Sequence, residues 1–113
     1  MNNCAVYDFR FNGDTFSNDR ALRELLESGI AKAYVFQKEQ GDTGYVHWQG
    51  RLSLIKKRRK FAALKLFGDT PPNYFEPTVL QEFLKGDGFY QTKLDTRISG
   101  PFTDKDPPPP VHT

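Results

Sequence analysis

The chain has 113 residues, of which 37% are hydrophobic and 14% aromatic, so it is long enough for one compact domain and too short for two. No apolar run approaches the roughly 18 residues of a membrane span, and the N-terminus lacks the charged start and apolar stretch of a signal peptide. We therefore expect a soluble intracellular protein with no membrane partner. Cys4, the single cysteine, excludes an internal disulfide and a metal site made only of thiolates.

Basic residues are concentrated in one run. The net charge of +2 says little about partners, but residues 56–60 are all basic. The run consists of Lys56, Lys57, Arg58, Arg59 and Lys60. Such a run is either a solvated loop that leads into a helix, or a phosphate-binding patch or nuclear address, and the sequence leaves these alternatives open.

The first half of the chain predicts a strand followed by a helix. Aromatic and polar residues alternate over 4–11, which is typical of a half-buried strand. Ser17 or Asn18 can cap a helix that runs to about Glu27 and is closed by Gly29. The apolar stripe of this helix consists of Ala21, Leu22, Leu25 and Leu26.

The rest of the chain predicts a hairpin, a helix, a short strand and another helix. Two strands flank a Gly-rich turn at 40–45, and apolar residues at helical spacing predict a second helix that ends at Gly68. Residues 73–78 are a short strand candidate, and Thr78 can cap a third helix. This order predicts an α+β fold with helices packed on a central antiparallel sheet, of the ferredoxin-like or a related type. Folds of this kind host many activities, so the fold class alone does not give the function.

Polar side chains on one face of the hairpin form a candidate metal site. His47 and Gln49 are two residues apart on a predicted strand and so share a face. If the turn centres on Thr43, Glu39 lies opposite His47 and Gln37 lies opposite Gln49. A carboxylate, an imidazole and an amide oxygen would then converge, a set that suits Mg²⁺ or Mn²⁺ better than structural zinc. The alternative for His47 alone is an ordinary surface or core residue.

Tyr90 and Lys93 are a candidate catalytic pair. They lie three residues apart near the end of the predicted third helix and would share a face. A phenol, whose pKa is ordinarily about 10, attacks at neutral pH only with a base, a metal or a positive charge nearby, and Lys93 could supply that charge. A buried ring beside a surface lysine would give the same pattern.

The combination of these motifs resembles a known family. The chain has a Glu before a Gly-rich turn, then HWQG, then a Tyr 43 residues beyond His47 with Lys three residues later. This combination resembles the replication initiator proteins of circular single-stranded DNA viruses. These belong to the HUH endonucleases, and Gln at the second ligand position is similar to circovirus-like and nanovirus-like members. The stretch KLDTRISGPF is similar to the nanovirus-type initiators. The resemblance covers roughly residues 4–102. It implies a ferredoxin-like or RRM-like nicking domain over 1–103 and a Pro-rich tail or linker over 104–113.

The resemblance also implies residue roles. Glu39, His47 and Gln49 would hold Mg²⁺ or Mn²⁺, and Tyr90 would be the nucleophile that forms a 5′-phosphotyrosine link. Lys93 would assist at the phosphate or at a metal-bound water. The implied function is metal-dependent, sequence-specific nicking and joining of single-stranded DNA that initiates rolling-circle replication of viral DNA in the host nucleus.

DNA contacts are predicted on the same face of the sheet. Strand alternation places Arg10 and Arg51 there, and residues 56–60 could hold flanking phosphates or a duplex stem. The family's first motif matches YDFRF loosely, so no DNA contacts of Asp8 or Arg10 are implied by the resemblance. By the resemblance, the expected partner is single-stranded DNA at a replication origin, in a stem-loop. Members of the family also carry a helicase domain, whereas this chain has no GxxxxGK[ST] loop, so the resemblance implies a helicase domain in a longer protein as a second partner.

Two other functions compete with nicking. A non-enzymatic single-stranded nucleic-acid-binding module of RRM-like fold would explain the basic run, but not the face of Glu39, His47 and Gln49. An interaction domain whose Pro107 to Pro110 tract binds a partner is a third interpretation. A covalent protein–oligonucleotide adduct would distinguish nicking from these two alternatives.

Overall fold

The computed structural model describes residues 3–78, 81 and 96–106, which form an antiparallel sheet with helices on it. The elements are β1 (Cys4–Asn12), α1 (Asp19–Glu27), β2 (Ala31–Gln40), β3 (Val46–Arg58), α2 (Lys60–Leu64), a short 3-10 helix (Lys65–Phe67), β4 (Tyr74–Pro77) and β5 (Arg97–Thr103). The predicted α+β class is therefore confirmed. The third helix expected after Thr78 lies outside the described residues, and none of the described helices is long and apolar enough to cross a membrane.

The strand order of the sheet is β4-β1-β3-β2-β5, and each neighbouring pair is antiparallel. The first four strands, with α1 between β1 and β2 and α2 between β3 and β4, follow the split βαβ arrangement of ferredoxin-like folds. β5 pairs with the outer edge of β2, and the sequence analysis did not predict this strand. Its sequence RISGPFT contains Gly and Pro and lacks apolar alternation, which hides an edge strand from periodicity.

The core lies between the helices and one face of the sheet. Tyr7, Phe9 and Phe11 of β1 are buried, as their alternation predicted, and they belong to one hydrophobic cluster with Leu22 and Leu26 of α1. The opposite face of the sheet carries the polar residues of the same strands. One face of the sheet thus supports the fold, and the other is available for function.

The predicted ends of α1 are confirmed. Asn18 is the N-cap, and its Oδ1 accepts a hydrogen bond of 3.0 Å from the backbone N–H of Ala21. Gly29, which follows the C-cap residue Ser28, has a φ of 109°, a conformation that favours glycine. Local sequence signals therefore fix both ends of this helix.

The structure corrects the idea that the basic run is a loop. Lys56, Lys57 and Arg58 are the last three residues of β3, Arg59 is the N-cap of α2, and Lys60 is its first residue. β3 continues this far because it still pairs with β1, where Arg58 lies opposite Cys4. The Tyr7 hydroxyl also donates a hydrogen bond of 2.6 Å to the Arg58 carbonyl.

Candidate metal centre and nucleic-acid interface

The predicted register of the hairpin is confirmed. In the β2–β3 pair, Glu39 lies opposite His47 and Gln37 lies opposite Gln49. β1 continues the row on the other side of β3, where Arg10 lies opposite Gln49. These side chains share the face that points away from the helices, because their strand neighbours fill the core.

Three potential ligand atoms converge on this face. His47 Nε2 lies 3.0 Å from Gln49 Oε1 and 3.4 Å from Glu39 Oε1. Gln37 Nε2 donates a hydrogen bond of 2.7 Å to Glu39 Oε2, the other carboxylate oxygen. Glu39, His47 and Gln49 are 3%, 8% and 4% exposed, so the group is buried although every member is polar.

The geometry and chemistry of this group fit a divalent cation. Adjacent ligands at right angles around an ion with bonds of about 2.1 Å are separated by about 3 Å, close to the separations found here. Within the described residues, Glu39 contacts His47 but forms no ion pair with Lys or Arg. Burying a carboxylate without a cation is costly, and a bound metal ion would offset that cost.

The amide oxygen of Gln49 is needed to complete the ligand set. In the part of the chain that the structure describes, no three His, Cys, Asp or Glu side chains group together. Oxygen from Glu39 and Gln49 with one nitrogen from His47 is a set that suits Mg²⁺ or Mn²⁺. The residues present therefore fit the ion that the sequence predicted.

Tyr45 supports His47, and the sequence analysis did not assign it this position. Its ring stacks on the imidazole with centroids 5.0 Å apart and planes 20° apart. The Tyr45 hydroxyl donates to Asn12 Oδ1 at 2.6 Å and accepts from Asn73 Nδ2 at 3.3 Å. His47 Nδ1 is buried and has no hydrogen-bond partner among the described residues, so the ring is held by the contact of Nε2 with Gln49 and by this stacking. The sequence signal for this contact was the spacing: Tyr45 precedes His47 by two residues, and residues two apart in an extended chain lie on the same face.

The two predicted arginines lie on the same face with neighbours from β1 and β4. Arg51 Nε donates a hydrogen bond of 2.6 Å to Asp8 Oδ1, so the charge of Arg51 is partly balanced. The guanidinium carbon of Arg10 lies 5.4 Å from the centre of the Tyr74 ring. Tyr74 lies on this polar face of the sheet because β4 pairs with β1. The sequence could not reveal that pairing.

Curated proteins of two plant viruses match this chain. The master replication proteins of Milk vetch dwarf virus (isolate N) and Faba bean necrotic yellows virus (isolate Syrian SV292-88) are each 33% identical to it over 88 residues, which is 77% of the chain. The chain is a domain related to viral replication proteins. It spans 29% of the length of these relatives. No family model and no solved structure match the chain.

The basic run of this replication-protein-like domain is largely exposed. Lys56, Lys57 and Arg59 are exposed, and Arg58 is half-buried. Lys60 forms an ion pair with Glu76 of β4. The exposed cations form a positively charged strand end, whereas Lys60 helps to join α2 to β4.

Tyr90 and Lys93 lie outside the described residues. Their predicted roles as nucleophile and assisting cation rest on the sequence. The structure describes the proposed metal ligands, both arginines and the basic run.

Proposed function

We propose that this domain nicks and joins single-stranded DNA at the start of rolling-circle replication of a circular viral DNA. The observation that carries the proposal is the convergence of Glu39, His47 and Gln49 on the polar face of the sheet. The names of the two related viral proteins support a role in replication. A surface that only binds DNA does not require a buried carboxylate, imidazole and amide oxygen.

The proposed ligands would position the scissile phosphate next to the sheet. A divalent cation bound there would supply Lewis-acid polarisation of a non-bridging phosphate oxygen. Gln37 keeps the carboxylate of Glu39 oriented, and Tyr45 keeps the ring of His47 oriented. The chain's own contribution is therefore a rigid, preorganised ligand set.

Tyr90 is the proposed nucleophile. A bond forms between its phenolic oxygen and phosphorus while the bond from phosphorus to the 3′ oxygen breaks. The phenol loses its proton, and the leaving 3′ oxygen gains one. Lys93 favours the phenolate as it develops. The products are a Tyr90–5′-phosphate link and a free 3′ hydroxyl that can serve as a primer.

The same site can rejoin strands. The phosphotyrosine bond retains the energy of the cleaved diester, so attack by a 3′ hydroxyl on phosphorus regenerates a DNA diester and the free phenol. Neither direction requires ATP. Nicking and joining are thus one reaction run in opposite directions.

The proposed setting is an origin in a stem-loop. The basic residues 56–59, all but Arg58 exposed, would bind phosphates beside the cleaved strand. A helicase domain elsewhere in a longer protein would unwind DNA from the nick, and the host nucleus is the proposed location.

A labelled oligonucleotide tests the chemistry. Stem-loop DNA with a randomised loop, labelled at the 3′ end, is incubated with protein and Mn²⁺ and separated on a denaturing gel. We expect label to migrate with the protein, because the downstream fragment carries the 5′ phosphate that joins Tyr90. The same DNA labelled at its 5′ end should yield only a shorter free strand.

Matched variants identify the nucleophile. Tyr90→Phe should abolish the adduct with little loss of binding, because it removes only the attacking oxygen. Tyr45→Phe and Tyr74→Phe should still form it. Chelator should prevent the adduct, and added Mn²⁺ should restore it. Binding without any adduct in the wild type would favour the RRM-like binding module, and an adduct with Tyr90→Phe would reject Tyr90.

A further inference from the structure

A pocket of about 280 Å³ opens on the polar face of the sheet, next to the proposed metal ligands. It is lined by Asp8, Phe9, Arg10, Gln49 and Tyr74. Gln49 is common to the pocket and to the ligand set, because its Oε1 contacts His47. An occupant of the pocket would therefore lie immediately beside the phosphate in the proposed reaction.

Two side chains of this pocket are held in place, and one of them has a donor without an acceptor. Arg51 fixes the carboxylate of Asp8 through a contact of 2.6 Å. The guanidinium of Arg10 lies over the Tyr74 ring, and its Nε is buried without a hydrogen-bond partner among the described residues. Tyr74 is 45% exposed, so much of its surface is accessible to a ligand. A buried donor without an acceptor is unfavourable, and a ligand with acceptor atoms would satisfy it.

We propose that this pocket binds one unpaired guanine base of the DNA strand. The inference rests on the proposed function and names the feature of the substrate that this face selects. Guanine presents two adjacent acceptors, O6 and N7, which match the donors of arginine. Its N1–H and amino group are donors that a carboxylate such as Asp8 can accept. Tyr74 supplies an aromatic surface for stacking, which contributes to binding of single-stranded bases.

Other occupants fit less well. A phosphate would meet the Asp8 carboxylate as well as Arg10 and would leave the Tyr74 ring unused. An apolar ligand would leave the Arg10 donor unsatisfied. Adenine presents an acceptor beside a donor on its major-groove edge, a pattern that suits Asn or Gln better than Arg. The volume is also slightly below the roughly 300–1,000 Å³ of pockets for drug-sized ligands, in keeping with a single base.

Selection from random single-stranded DNA tests the proposal without requiring catalysis. Strands retained by the wild-type chain are sequenced, and one position is expected to be enriched in guanine. Since a good bidentate contact discriminates by roughly 5- to 150-fold, replacing that guanine should weaken binding within this range. Replacement of that guanine by 7-deazaguanine, which lacks N7, should weaken binding of the DNA to the wild type. The same replacement should leave binding to the Arg10→Ala variant unchanged.

Paired variants separate recognition from charge and folding. Arg10→Lys keeps the charge but loses the planar fork, so it should bind DNA without the guanine preference. Tyr74→Ala should weaken binding at this position, whereas Tyr74→Phe should retain it. Arg20→Ala, which removes an exposed arginine from α1, is the matched control and should behave like the wild type. Thermal unfolding of each variant identifies loss of structure.

The outcomes distinguish this inference from the proposed nicking. Guanine preference that survives in both Arg10→Ala and Arg10→Lys, or selection of another base through Arg10, overturns the assignment even if adducts form. An Arg10-dependent guanine preference without an adduct supports the pocket and rejects the nicking chemistry.

Discussion

The side-chain amide of Gln37 donates a hydrogen bond of 2.7 Å to Glu39 Oε2, which leaves Glu39 Oε1 facing His47. Gln37 is fully buried, and a Cβ on Gly100 of β5 would come within 2.9 Å of its Cβ. This close packing leaves Gln37 little freedom to move. Gln37 is therefore a positioning residue for the proposed ligand set, although it holds no metal itself in the proposal.

Gln37→Met should weaken metal binding while preserving the packing volume. Loss of a side chain that orients a ligand typically costs about 10- to 100-fold in metal affinity, and we expect the Mn²⁺ dissociation constant to rise by that factor. Free Mn²⁺ measured by electron paramagnetic resonance during a titration checks this. Gln40→Met, at an exposed position of the same strand, is the control. Equal affinities in all three proteins would exclude the positioning role.

Tyr45 should influence the metal site through its ring more than through its hydroxyl. Tyr45→Ala removes the ring that stacks on His47, so we expect roughly tenfold weaker Mn²⁺ binding. Tyr45→Phe keeps the ring but loses the contacts to Asn12 and Asn73, and its effect should be smaller. Saturating Mn²⁺ should restore adduct formation in both variants. A larger loss in the Phe variant than in the Ala variant would contradict stacking as the cause.

Lys57, Arg58 and Arg59 of the basic run should control the salt dependence of DNA binding. Each lost phosphate contact lowers the slope of log affinity against log salt by about 0.7 on single strands. Replacing Lys57, Arg58 and Arg59 with Ala should therefore lower the slope by about 2. Lys60 is retained because its ion pair with Glu76 gives it a structural role.

Binding curves at several salt concentrations measure this effect. Arg20→Ala with Lys32→Ala, two exposed cations elsewhere on the domain, is the control and should leave the slope unchanged. If the triple variant has the wild-type slope, the basic run is a solvated strand end.

Gly50 should resist any larger side chain. A Cβ at this position would lie 2.4 Å from the Val35 carbonyl oxygen and 2.6 Å from both Phe36 Cβ and Phe9 Cζ. Overpacking typically costs 1–3 kcal/mol, and contact with backbone should place Gly50→Ala at about 2 kcal/mol or more. Gly41→Ala is the control, since its Cβ would meet nothing nearer than 4.0 Å. Urea unfolding compares the two, and similar midpoints would show that the sheet relaxes around Gly50.

Asp106 should make stability fall in acid. Burial alone would raise the pKa of its carboxyl, but the N–H of Thr103 and the Arg23 guanidinium hold the pKa below its ordinary value. The folded state therefore favours the ionised form. This stabilisation is complete above the ordinary pKa of about 3.9 and is lost as the pH falls through the lower pKa of the folded state.

Asp106→Asn tests this sign. At neutral pH the variant should melt up to about 5 °C below the wild type, since a partly exposed ion pair contributes at most about 1 kcal/mol. The difference should shrink below about pH 4 as Asp106 of the wild type becomes protonated. A gap of constant size from pH 7 to pH 2 would show that the charge of Asp106 is not the cause.

Local patterns in the sequence determined the core strand, the first helix and the register of the hairpin. Alternation assigned Phe9 to the core and Arg10 to the opposite face, because successive side chains of a strand point to opposite sides. Symmetry about the turn placed Glu39 opposite His47, since antiparallel pairing fixes each residue's partner once the turn is known. The proposed ligand set could therefore be assembled from the sequence alone.

Only the tertiary structure determined what surrounds those ligands. Tyr74 lies beside Arg10 because β4 pairs with β1, although the two strands are more than sixty residues apart in the chain. β5 covers Gln37 although the sequence of β5 lacks a strand pattern. The bond between Arg51 and Asp8 likewise joins two strands that are distant in sequence. Periodicity reports which face a residue occupies within its own strand, but not which strand becomes its neighbour, because that choice depends on how the whole sheet packs on the helices.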